Sequence, residues 1–263
     1  MPDVNEARLQ MNQAIEINGL QKSYGDTSVL NDFNLSVPEG NIFGLIGPNG
    51  AGKSTLIGIL TGLLDYDDGK IILNGRELNE QNELIIKQEV ASVLQPPLLF
   101  EHFTSHDFLH YICDIYEIDP ETRQLKMDSL LEYLGLTEFE HAKINKLSAG
   151  SRKKLSFCAA ILSDPEILFL DEPFESIDVI SIGRMKTILN RLQQKGVTII
   201  ITSHILEIVE TLCDDIAILH NQKIIAYLDS ETRKQLQKDA TLSEIFESYV
   251  QVEQPKNDVL KWL

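Results

Sequence analysis

The chain has 263 residues, 24% of them charged, and carries a formal charge of −17. This length supports one large core or two modest ones, and the acid excess argues against nucleic acid as a partner, since the longest basic run is Arg152-Lys153-Lys154. No apolar stretch approaches the roughly 18 residues that span a bilayer, and Asp3 and Glu6 interrupt any signal peptide, so a cytosolic chain is expected.

Ala14–Asn18 and Val29–Val37 alternate like half-buried strands, broken by Tyr24-Gly25-Asp26 and closed by Pro38-Glu39-Gly40. That pattern predicts antiparallel pairing. From Ile42 the texture changes: Ile42–Ile46, Ile167–Leu170 and Val197–Ile201 are short continuous apolar runs, as in parallel strands buried on both faces. Val90–Leu94 reads as another strand. The segment 98–160 holds no such run and predicts three helices. One starts at Thr104 with Asp107 three residues on, one is capped by Asp119 with Pro120 behind it and ends near Gly135, and one opens at Ser148.

Asp178 caps a further predicted helix whose apolar stripe is Val179, Ile182, Met185, Leu189 and Leu192, stopping at Gly196. Ile216–His220 and Lys223–Leu228 flank Asn221-Gln222 as a hairpin, and polar amphipathic helices run on to about Val250. The fold class is therefore α/β, with a doubly wound core, an N-terminal antiparallel part and an inserted helical part. Cys113, Cys158 and Cys213 are expected within helices as small buried apolar residues. His102, His106 and His110 have ligand-like spacing, but a helix start at Thr104 leaves His102 outside, so a polar helix face is the reading.

Chemistry concentrates in residues 47–54, Gly-Pro-Asn-Gly-Ala-Gly-Lys-Ser, between an apolar strand and a helical segment beginning at Thr55. Glycines let successive N–H groups converge on one oxyanion, and the following helix offers its positive end to it. Lys53 supplies a mobile cation to β- and γ-phosphates, and the Ser54 hydroxyl is a small oxygen ligand for Mg²⁺. A nucleoside triphosphate site follows, with Gly47, Pro48, Asn49, Gly50, Ala51, Gly52, Lys53, Ser54 and Thr55 as its cradle.

The strand Ile167–Leu170 ends in Asp171-Glu172-Pro173, where open α/β sheets bind ligands. Asp171 suits water-mediated Mg²⁺ ligation and Glu172 suits a general base. His204, at the tip of the next buried strand, can donate a hydrogen bond to a γ-phosphate. Gln95 closes Val90–Leu94, where its amide reaches both metal and attacking water. Tyr24 can stack on adenine.

Leu147-Ser148-Ala149-Gly150-Ser151 opens a helix ahead of Asp171-Glu172. With it, the order of motifs closely resembles that of the ATP-binding subunits of ABC transporters, from about residue 14 to 230. The resemblance implies a P-loop NTPase core with a mostly parallel sheet, arranged as a single domain over 1–250. Within it, 12–40 would be the antiparallel β-subdomain, 41–95 and 161–230 the ATP-binding core, 96–160 the helical subdomain, and 251–263 a tail.

The resemblance also implies ATP and Mg²⁺ as cofactors, a second nucleotide-binding subunit, and integral membrane permease subunits. The chain would sit peripherally on the inner face of the cell membrane, with export favoured over import. Two such domains would close head to tail on two ATP molecules, with Ser148 and the Gly150 amide completing the γ-phosphate shell in trans. The family's usual LSGGQ has Ala149 for its first glycine and Ser151 for its glutamine here, and the Asp-containing loop reads Glu175-Ser176-Ile177-Asp178. A soluble ABC-type ATPase is the alternative reading. Its usual paired domains, coiled-coil insertion or basic surface are not visible in the sequence.

Overall fold

A computed structural model describes residues 12–236 and 240–250. The expected tail at 251–263 and the first eleven residues of the 1–250 domain lie outside the described residues. Two sheets carry the chain. In the smaller, β1 (Gln13–Tyr24) pairs antiparallel with β2 (Thr27–Pro38) and, on its other edge, with β4 (Asp68–Leu73), which pairs with β5 (Arg76–Glu77).

The larger sheet has six strands in the order β10-β9-β3-β8-β7-β6. They are β3 (Ile42–Ile46), β6 (Val90–Val93), β7 (Ile167–Asp171), β8 (Thr198–Thr202), β9 (Asp215–His220) and β10 (Lys223–Leu228). All pairs are parallel except the hairpin β9–β10. Every residue of β3, β7 and β8 is buried, as the continuous apolar runs require.

Side-chain alternation along the central strands splits the interior into two cores. Phe43, Leu45, Phe169 and Ile200 face the antiparallel sheet, with Phe33, Ile17 and Leu56. Ile42, Ile46, Leu168, Leu170 and Ile201 face the opposite side, with Leu109, Leu155 and Leu189. The helices are α1 (Lys53–Leu60), α2 (Glu83–Glu89), α3 (Ser105–Ile115), α4 (Pro120–Tyr133), α5 (Ala149–Leu162), α6 (Val179–Gln194), α7 (Leu206–Leu212), α8 (Ser230–Leu236) and α9 (Leu242–Val250). Among the described residues, no helix is long and apolar enough to cross a membrane.

Three expectations need correction. Strands β4 and β5 fall within the 41–95 core of the sequence reading, yet they belong to the antiparallel sheet: Ile71 and Leu73 pair with Ile17 and Ile15 and share their core. Val179 does not join the apolar stripe of α6. It is 84% exposed at the first position of the helix, whereas Ser181, Met185, Leu189 and Leu192 are buried and Ile182 packs partly. Cys213 ends α7 as its C-terminal cap rather than lying inside a helix, although all three cysteines are buried as expected.

Candidate active site

The phosphate-type loop leaves β3 at Ile46 and delivers the chain into α1. Its first residue must be glycine: a Cβ on Gly47 would lie 2.3 Å from the carbonyl oxygen of Leu219, on β9. The cap of α1 is Gly52, with a left-handed backbone and no side-chain hydrogen bond, and the first turn contains no acidic residue. Thr104, Asp119, Ser148 and Asp178 each accept a backbone N–H at the start of their own helices. The opening of α1 thus has no side-chain acceptor of its own, and an outside anion can take that place.

Lys53 is only 7% exposed, and its Nζ donates to the carbonyls of Gly47 at 2.8 Å and Pro48 at 3.1 Å. Burial pushes its ammonium below the ordinary lysine range, while the carboxylates of Glu172 and Asp171 pull the other way. A buried cation opposite two carboxylates, bonded only to carbonyl oxygens, is a strong local attractor for phosphate.

The opposing wall comes from the carboxyl ends of β7 and β8, whose register pairs Asp171 with Thr202. The Thr202 hydroxyl donates to Asp171 Oδ1 at 2.5 Å and accepts from the Glu172 N–H at 3.1 Å. The Glu172 backbone takes a positive φ of 49°, which turns the chain sharply off the strand. His204 Nδ1 lies 2.8 Å from Glu172 Oε2, and the His204 N–H donates to the same oxygen at 3.2 Å.

Gln95, at the end of β6, donates from Nε2 to Glu175 Oε2. Lys153, buried on α5, lies 3.6 Å from that oxygen and donates to the Glu172 carbonyl at 2.8 Å. Glu175, Lys153 and Thr202 were not among the site residues expected from sequence. In the sequence Glu175 stands out only as a departure in the Asp-containing loop and Lys153 only as part of the run Arg152-Lys153-Lys154, while Thr202 carries no local signal.

A cleft of about 530 Å³ joins these walls. Asn49, Gly50, Gly52, Lys53, Ser54 and Thr55 line one side, and Gln95, Glu172, Glu175 and His204 the other. Gly47, Pro48 and Ala51 belong to the same loop but do not line the cleft, and neither does Asp171, which is 2% exposed. Tyr24 is half exposed at the end of β1, with the Lys22 ammonium 5.1 Å above its ring, and does not line the cleft.

Ser148 and Gly150 do not line it either. The Ser148 hydroxyl caps α5, accepting from the Ser151 N–H at 3.1 Å and donating to Ser151 Oγ at 3.0 Å. A Cβ on Gly150 would lie 2.5 Å from the Ser176 carbonyl oxygen, so only glycine lets this turn rest on the loop at Glu175–Asp178. The histidines on α3 resolve as His106 and His110 with rings 4.3 Å apart, and His141 5.6 Å from His106. His102 lies before the helix, and no group of three or more His, Cys, Asp or Glu among the described residues is placed to hold a metal.

Residues 30–175 match the sequence model of the family described as ABC transporter. The chain belongs to the ABC transporter family. It is of the ATP-binding, ATP-hydrolysing subunit type. It is 32% identical to the lantibiotic transport ATP-binding protein SrtF of Streptococcus pyogenes, over 90% of this chain and 97% of that one. It is also 34% identical to the linearmycin resistance ATP-binding protein LnrL of Bacillus subtilis (81% and 68% covered) and 32% identical to the bacitracin transport ATP-binding protein BcrA of Enterococcus faecalis (87% and 73%). The solved structure of an ATP-binding subunit of an ABC transporter superposes with a TM-score of 0.83 at 28% identity, covering 90% of this chain and 99% of that one. ABC membership fits the two-walled cleft, which sets an anion-binding helix start against a pair of carboxylates.

Proposed function

We propose that this ABC subunit acts as a single nucleotide-binding domain that closes on a second nucleotide-binding subunit around Mg-ATP and powers export through separate integral membrane subunits. The observation that carries the reading is the open start of α1 beside Lys53, facing Glu172 across the cleft. In this reading the triphosphate lies along residues 47–55, and Lys53 exchanges its carbonyl partners for β- and γ-phosphate oxygens. Tyr24 supports the adenine from the rim.

The residues present fit a small hard cation, because the Ser54 hydroxyl, the Asp171 carboxylate and the Gln95 amide oxygen are all oxygen donors. Mg²⁺ bound there would draw charge from the phosphate oxygens. Glu172 is the general base for the attacking water: His204 holds Oε2, which leaves Oε1 for the water proton. Ser148 and Gly150 do not line their own chain's cleft, which supports their use on a partner's nucleotide.

Partner docking falls to a second cleft of about 370 Å³ between α2 and β6 on one side and α3 and α5 on the other. Leu98, on its wall, is 66% exposed, and Phe100 is 49% exposed with its ring against Phe103 and Tyr111. These apolar residues support an amphipathic segment of a membrane subunit as the occupant, which would hold the chain at the inner face of the cell membrane. Leu99, between Leu98 and Phe100 in sequence, packs against the larger core instead. The names of the relatives, two for antibiotic transport and one for resistance, support export. Phosphate release by the purified chain with Mg-ATP, alone and with the membrane subunits, tests the proposal; no turnover in either setting would overturn it.

A further inference from the structure

We infer that Glu175 is a positioning residue for Gln95, fixing which end of the Gln95 amide faces the reacting end of the nucleotide. The inference rests on the assignment of Gln95 to metal and water, and adds what sets its orientation. A glutamine amide has two ends of nearly equal shape and opposite polarity. Free in a cleft it can present either one, and only the oxygen end can meet a cation or accept a water proton. An ionised carboxylate only accepts hydrogen bonds, so a glutamate beside it captures the NH₂ end and turns the oxygen away from itself. Glu175 stands in this relation to Gln95, and both line the nucleotide cleft.

A second acid beside Glu172 in a polyphosphate site is unfavourable unless something offsets its charge. Lys153 does this. Its side chain is 6% exposed, its ammonium lies 3.6 Å from Glu175 Oε2, and it also holds the Glu172 backbone carbonyl at 2.8 Å. One buried cation thereby sets the spacing between the general base and the residue that orients Gln95. The link joins the end of β6, α5 and the loop after β7. Glu175 touches Gln95 rather than the reacting atoms, so its effect is on orientation.

The test is ATP turnover at saturating ATP with Mg²⁺ varied, for wild type, Glu175→Ala, Glu175→Gln, Gln95→Ala and the double variant Glu175→Ala/Gln95→Ala. Loss of one orienting hydrogen bond should lower kcat by about 5–10-fold in Glu175→Ala and raise the Mg²⁺ concentration needed for half-maximal rate. Glu175→Gln presents a donor as well as an acceptor, so it no longer selects the Gln95 NH₂ and should lower kcat in the same direction while preserving shape. The double variant should be no slower than Gln95→Ala alone, because the two residues act in series.

Glu175→Ala with wild-type kcat and wild-type Mg²⁺ dependence would overturn the inference, as would single-variant losses that multiply in the double. The Glu175 side chain is 40% exposed, so Glu175→Ala should melt with the wild type. If it does not, the isosteric Glu175→Gln, combined with Gln95→Ala, carries the same cycle. Absence of wild-type turnover would count against the ATPase assignment of the cleft, whereas wild-type turnover that is insensitive to Glu175 counts against this inference alone.

Discussion

His204 meets Glu172 twice at one oxygen, through its ring Nδ1 at 2.8 Å and its backbone N–H at 3.2 Å. A neutral imidazole that donates from Nδ1 to a carboxylate keeps Nε2 as an acceptor, so donation to a phosphate from that ring requires the imidazolium. In the absence of nucleotide, the histidine therefore orients the base.

Glu172→Gln removes the base while preserving its shape and its contact with His204. Hydrolysis should fall by roughly 10²–10⁴-fold, the usual effect of losing a positioned base, with ATP still bound. Size measurement with Mg-ATP should show two subunits held together. Normal turnover in this variant would displace Glu172 from its assigned role.

Lys53→Ala should abolish hydrolysis and greatly weaken ATP binding, since no other cation is bonded to the loop carbonyls of Gly47 and Pro48 in the described contacts. The variant should fold, because the lost ammonium is partly desolvated. Nucleotide titration of the purified variant checks this; wild-type affinity would contradict the phosphate loop.

Cysteine labelling reports on packing. Burial pushes the Cys158 thiol up to about 12 and also raises Cys113 and Cys213. The thiolate is the reactive form, so a disulfide reagent at pH 8 should modify none of the three in the native chain and all of them in denaturant. Rapid native labelling of any one would show that its surroundings open.

Asp178 caps α6 with both oxygens, accepting from the Ser181 N–H at 2.9 Å and the Ser181 hydroxyl at 2.6 Å. Those bonds hold its carboxyl below the usual range. A lowered carboxylate stabilises the fold above its unfolded pKa, and the contribution fades as the pH falls through the folded value. Asp178→Ala should cost about 0.5–1 kcal/mol near pH 7, the low end for an exposed cap, and the gap from wild type should narrow in acid. A gap that widens in acid would contradict this sign.

Leu98→Glu and Phe100→Glu should abolish copurification with the membrane subunits while leaving ATP binding by the isolated chain intact. Leu98 is 66% exposed and Phe100, in a ring cluster with Phe103, Phe108 and Tyr111, is 49% exposed, so retained ATP binding is the check that each variant folds. Unchanged copurification would remove the strip from the interface.

The parts legible in the sequence were those decided locally. Thr104 with Asp107, Asp119 with Pro120, Ser148 and Asp178 all start helices where a side chain reaches a nearby backbone N–H. Glycine loops and strand-end acids were legible because their chemistry admits few other residues. Strand β4 was not, since Asp-Gly-Lys-Ile-Ile-Leu neither alternates nor runs long, and its character comes from pairing with β1. Helix α2 buries only Ile86 and so leaves no stripe to read. The Glu175–Gln95 bond closes over 80 positions, and nothing near either residue announces the other.

Strand β6 borders both clefts: Val90, Ala91 and Ser92 line the one beneath α3, and Gln95, just past its end, lines the one beside Lys53. At about 3.3 Å per residue, the two chambers lie roughly 10 Å apart along one peptide. Because β6 has β7 as its sole neighbour in the described sheet, a thrust along it works against one ladder of hydrogen bonds, whereas an interior strand would have to shear two. If a membrane subunit occupies the cleft beneath α3 as proposed, a shift of β6 against β7 would carry that movement toward Gln95 at the margin of the sheet.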